Sequence, residues 1–289
     1  MLLTGATGFI GAELRRALNA AGHTVTPVVR HSISREPAAF QADLLTSDRL
    51  AWATGEHDFI LHAASKTQGT PDLLWQANAV ATQRLASAAA RTRTPMLYIS
   101  TTGVYGRSFG CFGDPSKIPR QPSSALSVAR AAAEDHVLSG GGTVIRPHVV
   151  LGPGDRWVAP PLARFMLAED AWIGSSDVRV AGITSRRLAQ GVAALIGRAS
   201  LSPVLHAAEE EPVSVADIVR PEFEAAHRPL PERTMTIDIA YNKLRATGVS
   251  RNALCMLGLS SSMDAREFWR PSLPACNGTR AEWPDSIKR

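Results

Sequence analysis

Thr4-Gly5-Ala6-Thr7-Gly8-Phe9-Ile10-Gly11 stands between a short apolar run, Leu2–Thr4, and a helical pattern. In that pattern Ile10, Leu14, Ala17, Leu18 and Ala21 recur at intervals of three and four until Gly22 ends it. Glycines in this strand-to-helix context read as a phosphate-binding turn. Gly5 permits the tight turn, Gly8 lets the backbone approach a pyrophosphate, and Gly11 lets the helix pack closely on the sheet. Thr7, Phe9 and Ile10 complete the turn and open the helix, whose first N–H groups and partial positive charge favour phosphate. The expected ligand is a dinucleotide.

Outward from this turn, apolar runs at residues 24–29, 59–63, 96–100 and 143–146 alternate with helical patterns at 72–90 and 123–138. Such alternation predicts βαβ units and a parallel sheet. Pro27 is the irregularity, because a proline inside a strand removes a ladder hydrogen bond. Aligned with a first strand of three residues, it would lie opposite the very start of the chain. Either the natural start lies upstream of Met1, or this edge of the sheet is frayed. After Gly152-Pro153-Gly154 the alternation fades into short mixed elements, with a helix near 186–198 and a Pro-rich stretch at 212–231. The expected organisation is a dinucleotide-binding domain over residues 1–153 and a mainly substrate-binding lobe over 154–289, interleaved with the last strands of the sheet.

Composition agrees with one large core and a small lobe: 289 residues, 45% hydrophobic and 20% charged, exclude disorder and mini-protein scaffolds. The chain carries a net charge of +5, and its last stretch, from Lys243 to Arg289, holds eight Lys or Arg against four Asp or Glu. No dense basic run with interleaved aromatics accompanies them, so nucleic acid is not an expected partner. Cys111, Cys255 and Cys276 are too few and too scattered for a disulfide framework or a metal knuckle, which points to a reducing, cytoplasmic compartment and no metal. No apolar run approaches the roughly 20 residues of a membrane span. Met1-Leu2-Leu3 lacks a cationic flank and is interrupted by glycines, so it does not read as a signal peptide.

Further motifs follow the glycine turn in order. They are Asp43-Leu44, His62-Ala63-Ala64, Asn78, Ser100-Thr101-Thr102-Gly103-Val104-Tyr105-Gly106, Arg146-Pro147, Leu151-Gly152-Pro153-Gly154-Asp155-Arg156, Val204-Leu205-His206-Ala207-Ala208 and Pro212-Val213-Ser214. Together, over about residues 1–250, they resemble the extended short-chain dehydrogenase/reductases, the NAD-dependent epimerase/dehydratase family. The resemblance implies an α/β fold, a Rossmann-type doubly wound parallel sheet with a small C-terminal substrate lobe. It also implies that Asp43 and Leu44 contact adenine, that His62, Ala63 and Ala64 line the cofactor, and that Pro147 lies beside it. At the end of the second strand an acidic residue would favour NAD, whereas Arg30, followed by His31 and Arg35, favours the 2′-phosphate of NADP. The family's usual dimer packs through the helices at 72–90 and 123–138, and their Ala-rich faces permit a homodimer here.

The family's catalytic pair is a Tyr followed four residues later by Lys; the Tyr exchanges a proton with the substrate oxygen, and the Lys holds the nicotinamide ribose and depresses the Tyr pKa. Leu126 and Arg130 occupy those positions, and the only tyrosines are Tyr98, Tyr105 and Tyr241, so no shift of register restores the pair. Leucine exchanges no proton, and arginine is a permanent cation that can bind ribose or an oxyanion. Candidate catalytic groups are therefore Thr101, which aligns with the family's Ser or Thr, its neighbour Thr102, Arg130, and His148, an imidazole at the C-terminal edge of the sheet. Lys66 and Thr67 are weaker substrate-facing candidates, Cys111 weaker still, and Tyr105 reads as structural. The acidic pair of sugar-nucleotide dehydratases is replaced by Thr102 and Gly103, which argues against classical 4,6-dehydration, and Ser185 stands where the family often has Asp.

Three readings stay open. One is a non-redox enzyme that cyclises, isomerises or eliminates on a small oxygenated metabolite, with the dinucleotide structural or absent. Another is an NADPH-dependent reductase or epimerase that uses Thr101 and substitute acid–base groups. The last is a catalytically silent dinucleotide-binding sensor.

Overall fold

A computed structural model describes residues 1–30, 39–106, 110–198 and 200–270. The apolar runs become strands of one sheet: β1 (Leu2–Thr4), β2 (Thr26–Val29), β3 (Phe40–Gln41), β4 (Ile60–His62), β5 (Met96–Ile99), β6 (Thr143–Pro147) and β7 (Val204–Ala207). Their order across the sheet is β7-β6-β5-β4-β1-β2-β3, and every pairing from β3 through to β6 is parallel. Reversal of strand order between β1 and β4 makes their C-terminal ends the switch point at which such sheets bind ligands. This is the Rossmann-type α/β fold.

Parallel strands need crossovers. These are α1 (Phe9–Ala20) after β1, α2 (Leu50–Gly55) before β4, α3 (Pro71–Trp75) and α4 (Ala81–Thr92) after β4, α5 (Ala125–Ser139) before β6, and α6 (Ser185–Leu195) before β7. Successive residues of a strand face opposite sides. Leu2, Ile60, Tyr98 and Val144 enter a core with Leu50, Leu85, Ala89, Ala133 and Val137, while Leu3, Leu61, Leu97 and Ile145, on the opposite face, are equally buried. Burial of both faces explains why these strands read as continuous apolar runs.

Three local features depart from the sequence pattern. The helix expected at 72–90 starts on a Thr70 N-cap and contains one π-helical turn, Gln76–Val80, between α3 and α4. β3 and α2, too short for a periodic signal, were not expected. Pro27 is not opposite an empty edge, since it pairs with Leu3 inside the sheet. The Thr26 N–H bonds the Met1 carbonyl, so by alternation the Pro27 nitrogen faces the β3 side, where pairing begins only at Val28 and Phe40. The proline therefore breaks no rung of the β1–β2 ladder.

The chain forms two compact units. Met1–Val104, Pro122–Arg146 and Arg186–Leu205 make the first; Tyr105–Gln121, Pro147–Ser185 and the chain from His206 make the second. Both are discontinuous, so a single division after residue 153 coincides with neither. The second unit has its own core, in which Leu151, Leu162, Met166, Trp172, Val180 and Phe223 are buried. Among the described residues no helix is long and apolar enough to cross a membrane, and no group of three His, Cys, Asp or Glu could hold a metal ion.

Candidate functional site

Each glycine of the turn meets a backbone neighbour where a side chain would stand. Gly5 has φ +71°, and a Cβ there would lie 2.6 Å from the Ala64 nitrogen and 2.7 Å from the Ala63 carbonyl oxygen. A Cβ on Gly11 would run into the Gly5 carbonyl, and one on Gly8 would stand 3.2 Å from the same oxygen. Gly8 is the N-cap of α1, with no side-chain cap and no acidic residue in the first turn. Thr7 and Gly8 are exposed, and Phe9 and Ile10 are half-buried. The turn thus presents bare backbone at the C-terminal end of β1, pressed against the Ala63-Ala64 segment that leaves β4.

His62 holds these two strand ends together. Its Nδ1 lies 2.6 Å from Thr4 Oγ1 and its Nε2 lies 2.8 Å from Thr82 Oγ1. Thr82 donates its hydroxyl to the Asn78 carbonyl at 2.5 Å, so it accepts from His62 Nε2–H. Thr4 then donates to Nδ1 and accepts the Ala64 N–H at 3.2 Å. The ring is fully buried against Tyr98, and burial pushes its pKa down to about 4. His62 is therefore a neutral tie between strands, not the cofactor-lining group expected from sequence, because both its nitrogens are engaged inside the core.

Asn78, carried on the π-helical turn, fixes the next two residues. Its Oδ1 accepts from the Ser65 hydroxyl at 2.7 Å and the Lys66 N–H at 3.1 Å. Its Nδ2 donates to the carbonyls of Lys66 at 2.9 Å and Leu74 at 2.8 Å. Ser65 in turn accepts from Arg130 Nη2 at 2.9 Å. Arg130 lies one turn beyond Leu126 on α5, whose start is fixed by a Ser124–Ser127 capping box. Its Nε is buried without a hydrogen-bond partner. Burial draws its pKa down, Tyr98 and Glu134 draw it back up, and the guanidinium stays a cation. Tyr98 itself is fully buried and pushed up to about 12 by that burial, so it is not an acid–base group near neutrality.

Beneath this surface a buried ion pair joins α5 to β6. Arg146 donates from Nε and Nη2 to the two carboxylate oxygens of Glu134 at 3.0 and 2.6 Å, and Ser100 Oγ donates to the first at 2.5 Å. The partnership of Glu134 with Arg146 was not expected from sequence. Ser100 leads into Thr101, half-buried, whose Oγ1 accepts the Gly103 N–H at 3.1 Å. The hydroxyl proton of Thr101 is thereby left to donate. Thr102 is fully buried, which removes it as a substrate contact.

The other expected residues fall as follows. Arg30 is exposed at the end of β2; His31 and Arg35 lie outside the described residues, as does Cys276. Asp43 Oδ1 accepts the Leu45 N–H at 2.8 Å, Leu44 packs on the core, and Arg84 of α4 donates to the Leu44 and Ser47 carbonyls at 2.9 and 2.7 Å. Pro147 and His148 belong to the second unit. His148 is buried and bonds the Met256 carbonyl through Nε2 at 3.1 Å, and burial holds its pKa at about 4. Neutral and tied to backbone, it is not poised as an acid near neutrality, contrary to the sequence expectation. In the same unit Tyr105 is buried with its hydroxyl 2.6 Å from His206 Nε2, a structural position. Lys66 and Thr67 are exposed, as is Cys111, whose sulfur accepts from Ser262 Oγ at 3.2 Å.

The first unit therefore fits a dinucleotide on two observations: exposed, uncapped backbone at Thr7 and Gly8 where α1 begins, in a turn whose glycines leave no room for a side chain against neighbouring backbone, and a buried guanidinium N–H lacking an acceptor, which costs about 1–3 kcal/mol until an acceptor arrives. The family model described as the NAD dependent epimerase/dehydratase family matches residues 1–185. No curated protein matches the chain. Similar solved structures include a UDP-glucuronic acid 4-epimerase from Bacillus cereus in complex with NAD, 20% identical, covering 90% of this chain and 96% of that one at a TM-score of 0.67. MoeE5 in complex with UDP-glucose and NAD is 23% identical over 92% and 94% of the two chains, with a TM-score of 0.65. TunA, an NAD dependent NDP-hexosamine 5,6-dehydratase of tunicamycin biosynthesis, is 19% identical over 92% and 94%, with a TM-score of 0.64.

Proposed function

The chain belongs to the NAD-dependent epimerase/dehydratase family, and from that premise we propose that it binds a nicotinamide dinucleotide and transforms a small oxygenated metabolite by a non-redox isomerisation, cyclisation or elimination. The observation that carries the reading is Arg130, anchored to Ser65 one turn beyond Leu126, where the family has Lys and Tyr. Backbone from Gly5 to Gly11 would hold the diphosphate, Ala63 and Ala64 would wall the cofactor, and Arg130 would meet the nicotinamide ribose. A bound nicotinamide would supply hydride exchange. The groups of the chain here do not support the proton transfer that accompanies it: Leu126 has no proton, Arg130 does not titrate, His62 is locked neutral and Tyr98 stands near 12. They support binding and charge stabilisation instead. Thr101 would donate its hydroxyl to a substrate oxygen, and the fixed charge of Arg130 would favour an oxyanion.

Arg30, exposed where an acidic residue would select NAD, favours NADP. We assign substrate recognition to the second unit and expect a homodimer through α4 and α5, which light scattering checks. The sugar nucleotides named for the similar structures are the first substrates to offer. With purified protein, NADP+ and each substrate, product formation without a change in nicotinamide absorbance is expected. An absorbance change coupled to turnover would replace this reading with a reductase or epimerase. Tight dinucleotide binding with no turnover of any substrate would replace it with a sensor. Leu126→Tyr with Arg130→Lys should abolish the native conversion; gain of dehydrogenase activity instead would mark a lapsed redox site.

A further inference from the structure

The cation at position 130 is held by a bracket that the glycine-turn motif does not include. Asn78 uses its carboxamide four times: Oδ1 receives the Ser65 hydroxyl and the Lys66 N–H, and Nδ2 gives to the Lys66 and Leu74 carbonyls. This pattern also orients the amide, because an N–H must meet the oxygen and two carbonyls must meet the nitrogen. The Ser65 proton therefore points at Asn78, and its lone pairs are turned toward Arg130 Nη2 at 2.9 Å. On the other side, Asn78 is anchored by Thr82, whose hydroxyl bonds the Asn78 carbonyl and which accepts from His62. His62 reaches Thr4, the residue before Gly5. One continuous run of hydrogen bonds thus joins the start of the phosphate turn to the guanidinium.

A purely structural role explains the inner half of this run but not the outer half. His62, Thr82 and Asn78 are buried, where unpaired polar groups are costly. Ser65 is exposed, and solvent could satisfy its hydroxyl at little cost. Arg130 is likewise long enough to reach water, yet it is drawn to a short polar side chain with its Nε buried and unpaired. An arginine needs such a partner more than a lysine does, because its planar fork binds by direction whereas an ammonium acts as a point charge.

We propose that Ser65, oriented by Asn78, is a positioning residue of the dinucleotide site, setting the direction of the Arg130 guanidinium so that its unpaired edge meets the nicotinamide half of the ligand. This rests on the dinucleotide reading above. It assigns a function to Ser65, which lies outside the glycine turn and outside α5.

The test measures dissociation constants by calorimetry for NADP+ and for 2′,5′-ADP, which shares the adenosine half but lacks the nicotinamide ribose. Ser65→Ala is expected to weaken NADP+ by about tenfold, equivalent to about 1.4 kcal/mol, while changing 2′,5′-ADP by less than about twofold. Ser65→Thr, which keeps the hydroxyl, should restore NADP+ binding. In a double-mutant cycle, Ser65→Ala should cost nothing further once Arg130→Ala has removed the group it positions. Equal weakening of both ligands by Ser65→Ala would show that the variant merely loosens the Ala63-Ala64 wall against Gly5, and the proposal would fall. Unchanged NADP+ binding, or full additivity with Arg130→Ala, would overturn it as well. If the wild-type protein binds neither NADP+ nor NAD+, the dinucleotide reading itself fails and takes this inference with it, an outcome visible before any variant is compared. Ser65 is exposed, so the alanine variant should fold, and thermal melting of the unliganded protein verifies that it does.

Discussion

Replacing Gly5 by alanine probes the close approach on which the candidate site is built. Two costs arise. Gly5 has φ +71°, and an L-residue in that left-handed region costs about 1–2 kcal/mol. Its new Cβ would also stand 2.6 Å from the Ala64 nitrogen and 2.7 Å from the Ala63 carbonyl, both backbone atoms of a segment fixed by Asn78 and by Thr4. Overpacking against atoms that cannot turn aside adds about 1–3 kcal/mol. A total of about 2–5 kcal/mol is expected. Gly22→Ala is the matched control: its φ is +85°, but nothing lies within 4 Å of the added carbon, so only the backbone cost applies. Urea denaturation of the two variants side by side, with slopes compared, isolates the close-approach part as their difference. Gly5→Ala should also weaken NADP+ binding, whereas Gly22→Ala should not. If the two variants are equally destabilised, the strand ends of β1 and β4 are not in the contact described, and the close approach of the turn to Ala63 and Ala64 is refuted.

Other expectations follow from the same geometry. Glu134→Leu should cost about 3–5 kcal/mol by leaving the buried Arg146 uncompensated, and adding Arg146→Met should recover most of it; a single variant of wild-type stability in urea would sink this. His62 and His148 are held at about 4, below the ordinary 6.5, so the unfolded chain takes up protons first on acidification. Their contribution is complete above about pH 6.5 and is lost as pH falls toward 4, at up to about 1.4 kcal/mol per pH unit for each. The urea midpoint should therefore drop between pH 7 and pH 5, and by less in His62→Gln; a flat profile would contradict the burial argument. Arg84→Met should weaken NADP+ and 2′,5′-ADP by the same factor, because Arg84 secures the loop that follows Asp43 and Leu44, the pair that the family resemblance assigns to adenine. A loss confined to NADP+ would place Arg84 at the wrong end of the ligand.

Much of the fold was legible in local pattern. The glycine turn, α1 and the runs that became β1, β4, β5 and β6 announce themselves because strand burial on both faces and helical periodicity are properties of neighbouring residues. The expectation that Leu126 and Arg130 stand where the family has Tyr and Lys rests on the register of one helix and the inventory of three tyrosines. Pro27 misled for a related reason: periodicity reports which residues are buried, but not toward which neighbour a backbone nitrogen points.

What the sequence alone determined was the class of fold, and with it the expectation of a phosphate turn and of Leu126 and Arg130 in place of the family's proton-exchanging pair. Only the tertiary structure decided the rest. It made His62, expected to line the cofactor, and His148, a candidate acid or base, buried neutral ties, enclosed Thr102, paired Glu134 with Arg146, and brought Ser65 to Arg130 across 65 positions of chain. Hydrogen bonds of that span leave no period in the sequence, because a directional contact between distant residues depends on where the sheet places two strand ends and a helix, not on the residues beside them.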